Sequence, residues 1–210
     1  VTGTQGMVAC GHPQACLAGT RILLQGGNAF DAVVGVAAAL NVVEPYYSGI
    51  AGNGYALVYL ADQKSVRVLD YCGHTPYEAS LETIPDSDEQ GKGSKSGLVP
   101  GACGGWLELQ KRYGRLELGA VLAPAIDLAE NGFSVTVRNS FIIDACKPRV
   151  NADGQRVMYP QGRAPLPGEI LVQKELGRTF RRIIEGGAEL FYRGNSAGRL
   201  FSTCSRKGAS

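Results

Sequence analysis

Gly26 to Tyr55 reads GGNAFDAVVGVAAALNVVEPYYSGIAGNGY, a nearly all-apolar segment held between two glycine-rich turns. Asn28 is a good N-cap, and Asp31, three residues on, is placed to return a hydrogen bond as the acidic half of a capping box. From Ala29 to Val43 only Asp31, Gly35 and Asn41 interrupt the apolar run. With no polar stripe to face water, such a helix has to be buried. It falls short of the ~20 residues a bilayer core needs and carries a charge near one end, so the reading is a core helix and no membrane span is expected. Glu44-Pro45 ends it, because proline disfavours helical geometry in the residue before it and lacks the N–H that would continue the ladder.

Ser48 to Gly54 then reads as a loop, and Tyr55 to Leu60 as a buried strand. The glycines of this loop invite a phosphate-binding reading, since backbone N–H groups in such loops cradle anions. The order of elements argues against it. A nucleotide loop runs from strand to glycines to helix, whereas here a helix precedes and a strand follows. Close backbone packing is the better use of these glycines.

Outward from this segment, Pro13 to Gln25 reads as a helix that Gly26-Gly27 stops, with Cys16, Leu17, Ile22, Leu23 and Leu24 available for its buried side. Strand 55–60 and Val66 to Tyr71 pair as a hairpin across 61–65. Residues 86–97, DSDEQGKGSKSG, are polar and rich in glycine and serine and read as a mobile loop. Helices are expected over Gly104 to Tyr113, Leu118 to Glu130, Asn139 to Cys146, Lys174 to Glu185 and Ser196 to Ser205, the fourth turning Leu176, Phe180, Ile183 and Ile184 inward. Prolines and glycines make 147–170 irregular. One hairpin among so many helices cannot supply the sheet on which helix 29–43 would pack. Either the fold is mostly helical, or strands from sequence outside these residues complete it.

Composition narrows the function classes. At 210 residues and 44% apolar content the chain can build a real core. Its 21 basic and 19 acidic residues leave a formal charge of +2, which gives no electrostatic case for nucleic acid or an anionic membrane. Arg178, Arg181 and Arg182 form the densest basic cluster and read as a solvated helix face. Val1 to Met7 lacks the basic start and apolar core of a signal peptide, but a chain starting with Val leaves an upstream segment and the compartment open. Six cysteines, at 10, 16, 72, 103, 146 and 204, form no CxxC pair and read as scattered core thiols. Cys10, His12 and Cys16 match no standard zinc spacing, so no metal site and no cofactor is expected. His12, just before the first helix, reads as structural.

The blocks GGNAxDA (Gly26–Ala32), VVEPxxSGxxGxG (Val42–Gly54), VPGAxxGW (Val99–Trp106) and RYGRLxLxxVLAPAIxLAExGFxV (Arg112–Val135), followed by Phe191-Tyr192-Arg193-Gly194, resemble the N-terminal part of the γ-glutamyltransferase family. The resemblance runs from about His12 to near Ser210 and implies an α+β fold, an αββα sandwich of the N-terminal-nucleophile hydrolase type. On that resemblance residues 1–210 form a single partial domain, the large-subunit part of a precursor that cleaves itself. The partner implied is a C-terminal small subunit carrying a threonine that is nucleophile and, through its own amine, general base. Thr20, Thr75, Thr83, Thr136, Thr179 and Thr203 all lie in large-subunit blocks, so no catalytic residue is expected in this chain, which is predicted inactive alone.

The resemblance also locates substrate-binding candidates. Relatives acting on γ-glutamyl compounds carry arginine in a motif resembling D-x-R-E-x-A-P, where it grips the substrate carboxylate through a paired donor fork. The matching stretch, Asp70-Tyr71-Cys72-Gly73-His74-Thr75-Pro76, has Cys72 at that place. It is closer to the S-G-R-A-P form of oxamate- or acyl-amide-hydrolysing branches, with His74 where those have arginine. Cys72 and His74 are therefore the substrate-contact candidates. The expected reaction is γ-glutamyl transfer or hydrolysis on a small-molecule amide. The alternatives are oxamate or acyl-amide hydrolysis within the same family, and a non-catalytic scaffold or binding protein built on a decayed copy of the fold.

Overall fold

A computed structural model describes residues 3–77, 79–85 and 97–194. The expected helix at 196–205 and all of the 86–97 loop but Gly97 lie outside them. In chain order the elements are α1 (Pro13–Leu24), α2 (Ala29–Val43), β1 (Tyr55–Leu60), β2 (Ser65–Asp70), α3 (Ala102–Tyr113), α4 (Leu118–Glu130), β3 (Phe133–Ser134), α5 (Val137–Cys146), a 3-10 turn (Lys147–Arg149), α6 (Ala152–Met158), β4 (Ile170–Leu171) and α7 (Lys174–Tyr192). No helix among the described residues is long and apolar enough to cross a membrane. The residues group into two compact units, 1–49 with 110–185 and 50–109 with 186–210.

In the first unit α2 packs on both α1 and α4. Helix α1 turns Ala15, Ala18, Gly19 and Ile22 inward and leaves Leu17 and Leu24 exposed, which corrects the expected buried side. The reason is the closeness of α2. A Cβ on Gly19 would lie 2.6 Å from Val36 Cγ2, and one on Gly35 would lie 2.1 Å from Ile22 Cδ1, so small residues set this seam and leucines cannot. Helix α1 ends as predicted at Gly26-Gly27. Gly26 takes φ +90 and its N–H reaches Leu23 O, while Gly27 N–H reaches Ile22 O, the paired bonds of a Schellman stop.

Both ends of α2 are tied down by distant sequence. At the N-terminus the Asn28 side chain accepts from the N–H groups of Phe30 and Asp31, and Asp31 Oδ2 accepts from Asn28 N–H at 3.0 Å, the predicted capping box. The Asp31 carboxylate, fully buried, also accepts from Arg115 N–H at 2.9 Å, and Asn28 Nδ2 donates to Tyr113 O at 2.6 Å. At the C-terminus, Gln173 Nε2 donates to Val42 O at 2.6 Å and Asn139 Nδ2 to Val43 O at 2.7 Å. Pro45 stops the helix, so the Val42 and Val43 carbonyls lack the N–H partners of a continuing turn, and two buried amides supply them.

The remainder of the unit adds short elements that periodicity does not reveal. Strands β3 and β4 pair antiparallel through Phe133↔Leu171 and Ser134↔Ile170, a second ladder in addition to the expected hairpin. Within 147–170 the Asn151 side chain caps α6 by accepting from Gly154 N–H at 2.9 Å. Arg163 forks onto Glu169, with both N–H···O distances 2.8 Å, and Leu166 N–H also donates to that carboxylate at 2.7 Å. On α7, Phe180 and Ile183 are buried and Ile184 and Leu176 half-buried, as the pattern predicts. Arg178 pairs with Glu175, and Arg181 forks onto Glu130 at 2.7 Å. The helix runs on to Tyr192, past the predicted Glu185, across a kink at Gly187 with φ 57.

In the second unit β1 and β2 form the predicted hairpin, with Tyr55↔Asp70, Leu57↔Val68 and Tyr59↔Val66 in register and β2 one residue earlier than expected. Strand β1 is not buried on both faces. Tyr55, Leu57, Tyr59, Val66 and Val68 all stand exposed, Leu57 at 76%, because no second layer covers that face among the described residues.

Two outcomes check this account. Asp31→Ala leaves the Asn28 and Arg115 N–H groups facing the site of a buried carboxylate and is expected to destabilise by about 3 kcal/mol, with Asp31→Asn recovering only part, read from denaturant midpoints. The Arg163 fork, aided by Leu166 N–H, holds the Glu169 carboxyl down at about 2 against an ordinary 4.5. A depressed carboxylate stabilises above its unfolded pKa and loses that contribution as pH falls through the folded value. The melting-temperature gap between wild type and Glu169→Gln should therefore be full above 4.5 and close as pH approaches about 2.

Candidate functional site

Cys72 and His74 lie on an extended segment that leaves β2 and is tied in place by backbone contacts within the second unit. Tyr71 N–H donates to Gly54 O at 3.1 Å, Gly73 N–H to Asn53 Oδ1 at 2.6 Å, and Val99 N–H to His74 O at 3.0 Å. Gly101 and Ala102 both donate to Gly52 O, at 3.0 and 2.8 Å. The glycine loop 52–54 thus offers acceptors to two neighbouring segments. This is the close packing expected of it, in place of an anion cradle.

Two glycines are required by the approach of backbone to backbone. A Cβ on Gly73 would lie 1.7 Å from Val99 O, and one on Gly101 would lie 1.9 Å from Tyr71 O. Tyr71 is half-buried, its ring lying against Gly105, and burial pushes its phenol above the ordinary value.

With Tyr71 and Gly73 turned inward, alternation along an extended chain sends residues 72 and 74 to the other side. Cys72 and His74 are both exposed there. The neighbouring Cys72 side chain, and after it the negative charge of Asp70, raises the Tyr55 phenol above its ordinary value. Asp70 Oδ1 in turn accepts from Cys72 N–H at 2.8 Å. Tyr55 belongs to the uncovered apolar face of the hairpin, so both candidates open beside that face. Sequence reading missed Tyr55 and Asn53, whose roles rest on pairing across 17 and 20 positions that no local pattern signals.

The other thiols and histidine have separate surroundings. Cys103 is buried and its thiol is pushed up to about 12 by desolvation, so it is inert at neutral pH. Cys10, Cys16 and Cys146 are half-buried and Cys72 is exposed, which corrects the reading of all six as core thiols; Cys204 lies outside the described residues. His12 is buried with both ring nitrogens engaged. Nδ1 accepts from Gln14 N–H at 3.2 Å as the N-cap of α1, and Nε2 faces Asn139 Oδ1 at 3.1 Å. Because Nδ1 accepts, Nε2 carries the proton and donates to Asn139. Among the described residues no group of three or more His, Cys, Asp and Glu side chains is placed to hold a metal ion.

The profile of the family described as Gamma-glutamyltranspeptidase matches residues 15–210. The chain belongs to the γ-glutamyltranspeptidase family. It is 38% identical over 218 residues to the glutathione hydrolase-like YwrD proenzyme of Bacillus subtilis (strain 168), covering 100% of this chain and 41% of that protein. To the acylase ACY 1 proenzyme of Pseudomonas sp. (strain V22) it is 40% identical over 215 residues, covering 96% of this chain and 38% of that one. The crystal structure of Helicobacter pylori γ-glutamyltranspeptidase superposes with a TM-score of 0.89 at 29% identity, over 95% of this chain and 60% of that chain. The chain therefore spans about two fifths of the length of these two relatives. Helix-rich, with two small antiparallel sheets among the described residues, it has the α+β fold of the large-subunit part of the family's N-terminal-nucleophile hydrolase sandwich.

If Asn53 holds the Cys72–His74 segment, the acceptor at that position is what counts. Asn53→Ala is expected to cost about 1 kcal/mol by orphaning Gly73 N–H, whereas Asn53→Asp, which keeps the acceptor, should stay close to wild type. Thermal denaturation of the two variants side by side checks this. Equal losses would remove Asn53 from that role.

Proposed function

We propose that the full protein is an amide-cleaving enzyme of the γ-glutamyltranspeptidase family, performing γ-glutamyl transfer or hydrolysis on a small-molecule donor. Residues 1–210 supply its large-subunit part, and a threonine on a small subunit formed from sequence outside them attacks the donor carbonyl to give a threonyl ester. The amine of that threonine takes the proton, and water or an acceptor amine then resolves the ester. The observation that carries this reading is the exposed apolar face made by Tyr55, Leu57, Tyr59, Val66 and Val68. A sheet face of that character needs a second layer, and the small subunit is the layer this family's sandwich requires. Cys72 and His74, opening beside that face, are the substrate contacts of the proposal.

A second reading, hydrolysis of oxamate or another acyl amide, is favoured by Cys72 itself. A thiol offers no paired, permanently charged donor fork for an α-carboxylate. Relatives named for glutathione hydrolysis and for acylase activity both lie at similar identity, which supports keeping both donors in the test.

The test uses the full-length, self-cleaved protein with γ-glutamyl-p-nitroanilide and with oxamate in parallel. Turnover of at least one donor is expected, and turnover of neither would sink the reading. Cys72→Arg restores a fork at the carboxylate position and should raise kcat/KM for γ-glutamyl-p-nitroanilide at least about tenfold, since a charge-assisted hydrogen bond is worth roughly that factor or more. An unchanged or lower value would remove Cys72 from the substrate site.

A further inference from the structure

The first turn of α1 brings two thiols together. Cys10 Sγ lies 3.1 Å from Cys16 Sγ, across a turn in which Cys10 Sγ also donates to His12 O at 3.3 Å and Cys16 N–H donates to the same carbonyl at 3.0 Å. The residue between them is held at both ends of its ring, because His12 caps the helix through Nδ1 and grips Asn139 through Nε2. On the outer side the Glu44 carboxylate closes on Gly11, where a Cβ would lie 2.9 Å from Glu44 Oε2. The backbone carrying the two cysteines is therefore fixed, and the sulfurs need to approach by only about 1 Å to reach the S–S bond length.

We propose that Cys10 and Cys16 form a reversible disulfide, a modification site at the head of α1 that takes a low-molecular-weight disulfide as its oxidant. One cysteine sulfur, as thiolate, attacks the small disulfide, forming a mixed disulfide and releasing the first small thiol. The second cysteine then attacks the protein sulfur of that mixed disulfide, closing the Cys10–Cys16 bond and releasing the second small thiol. Two electrons pass from the cysteine pair to the oxidant, and the two protons leave with the two released thiols. The fused ring encloses His12, so oxidation clamps the cap of α1 and the Asn139 contact together. Burial, and then the hydrogen bond with Cys16, push the Cys10 thiol up to about 11, so Cys10 rests as a thiol at neutral pH and attacks slowly. Cys103, by contrast, is buried.

Incubating the full-length protein with 2-hydroxyethyl disulfide, then alkylating and mapping peptides, tests the proposal. In wild type the segment holding Cys10 and Cys16 should lose about 2 Da as a peptide linking the two, and regain both thiols with dithiothreitol, whatever mixed disulfide the exposed Cys72 takes up. Cys16→Ser should stop at the mixed disulfide on Cys10, a gain of about 76 Da, and Cys10→Ser should do the same on Cys16. Cys146→Ser should oxidise as wild type does. A wild-type protein in which Cys10 and Cys16 remain alkylatable, retain mixed disulfides, or link to any other cysteine would overturn the proposal.

Discussion

A helix without a polar face can be buried only if the peptide groups at its ends find partners away from water, and this constraint organises the first unit around α2. Four N–H groups at one end and four carbonyls at the other have no partner inside a helix. Asp31 and Asn28 answer for the first end and Asn139 and Gln173 for the second. Each of these side chains except Asp31 is neutral, and among the described residues the bonds Asp31 accepts come from backbone N–H groups, so the carboxylate meets peptide dipoles. A buried carboxylate so satisfied is tolerable where an unpaired one is not.

The same constraint explains why separate sequence blocks belong together. The GGNAFDA segment meets Arg112–Leu116 through Asp31 on Arg115 N–H, Asn28 on Tyr113 O and the Phe30 ring 4.9 Å from that of Tyr113. The Val43 carbonyl, left open where the helix stops before Pro45, is met by Asn139, itself placed by a capping box with Thr136. His12 closes the circuit by donating to the Asn139 oxygen that also accepts from Thr136 N–H. What a linear reading takes as separate motifs is one set of hydrogen bonds around one helix.

Legibility follows from how local each cause is. Helix α2 was readable to both ends because its cap, its apolar run and its proline all lie within its own sequence, and α4 was bounded as well by its pattern and Asn131-Gly132. The inward stripe of α1 was not readable, because Ala15, Ala18 and Gly19 are favoured over leucine only once Val36 sits against them. The β3–β4 ladder is two residues long on each strand and has no period to detect. At the candidate site Cys72 and His74 were marked by family resemblance alone. Their common outward direction, and the Tyr55 and Asn53 contacts that define it, depend on pairings made after folding.

The hairpin face bears on why this region carries substrate candidates at all. Exposed cross-strand pairs of Tyr, Leu and Val are costly in water and invite association, so a protein retains them where another layer covers them. A residue at the margin of such a face is exposed in one unit yet becomes enclosed once the layer arrives. Cys72 and His74 stand at that margin, beside Tyr55, on backbone fixed by Gly73 and Gly101. The backbone of that margin is set within one unit, and under the proposed function it is where a small subunit would close a pocket over the donor.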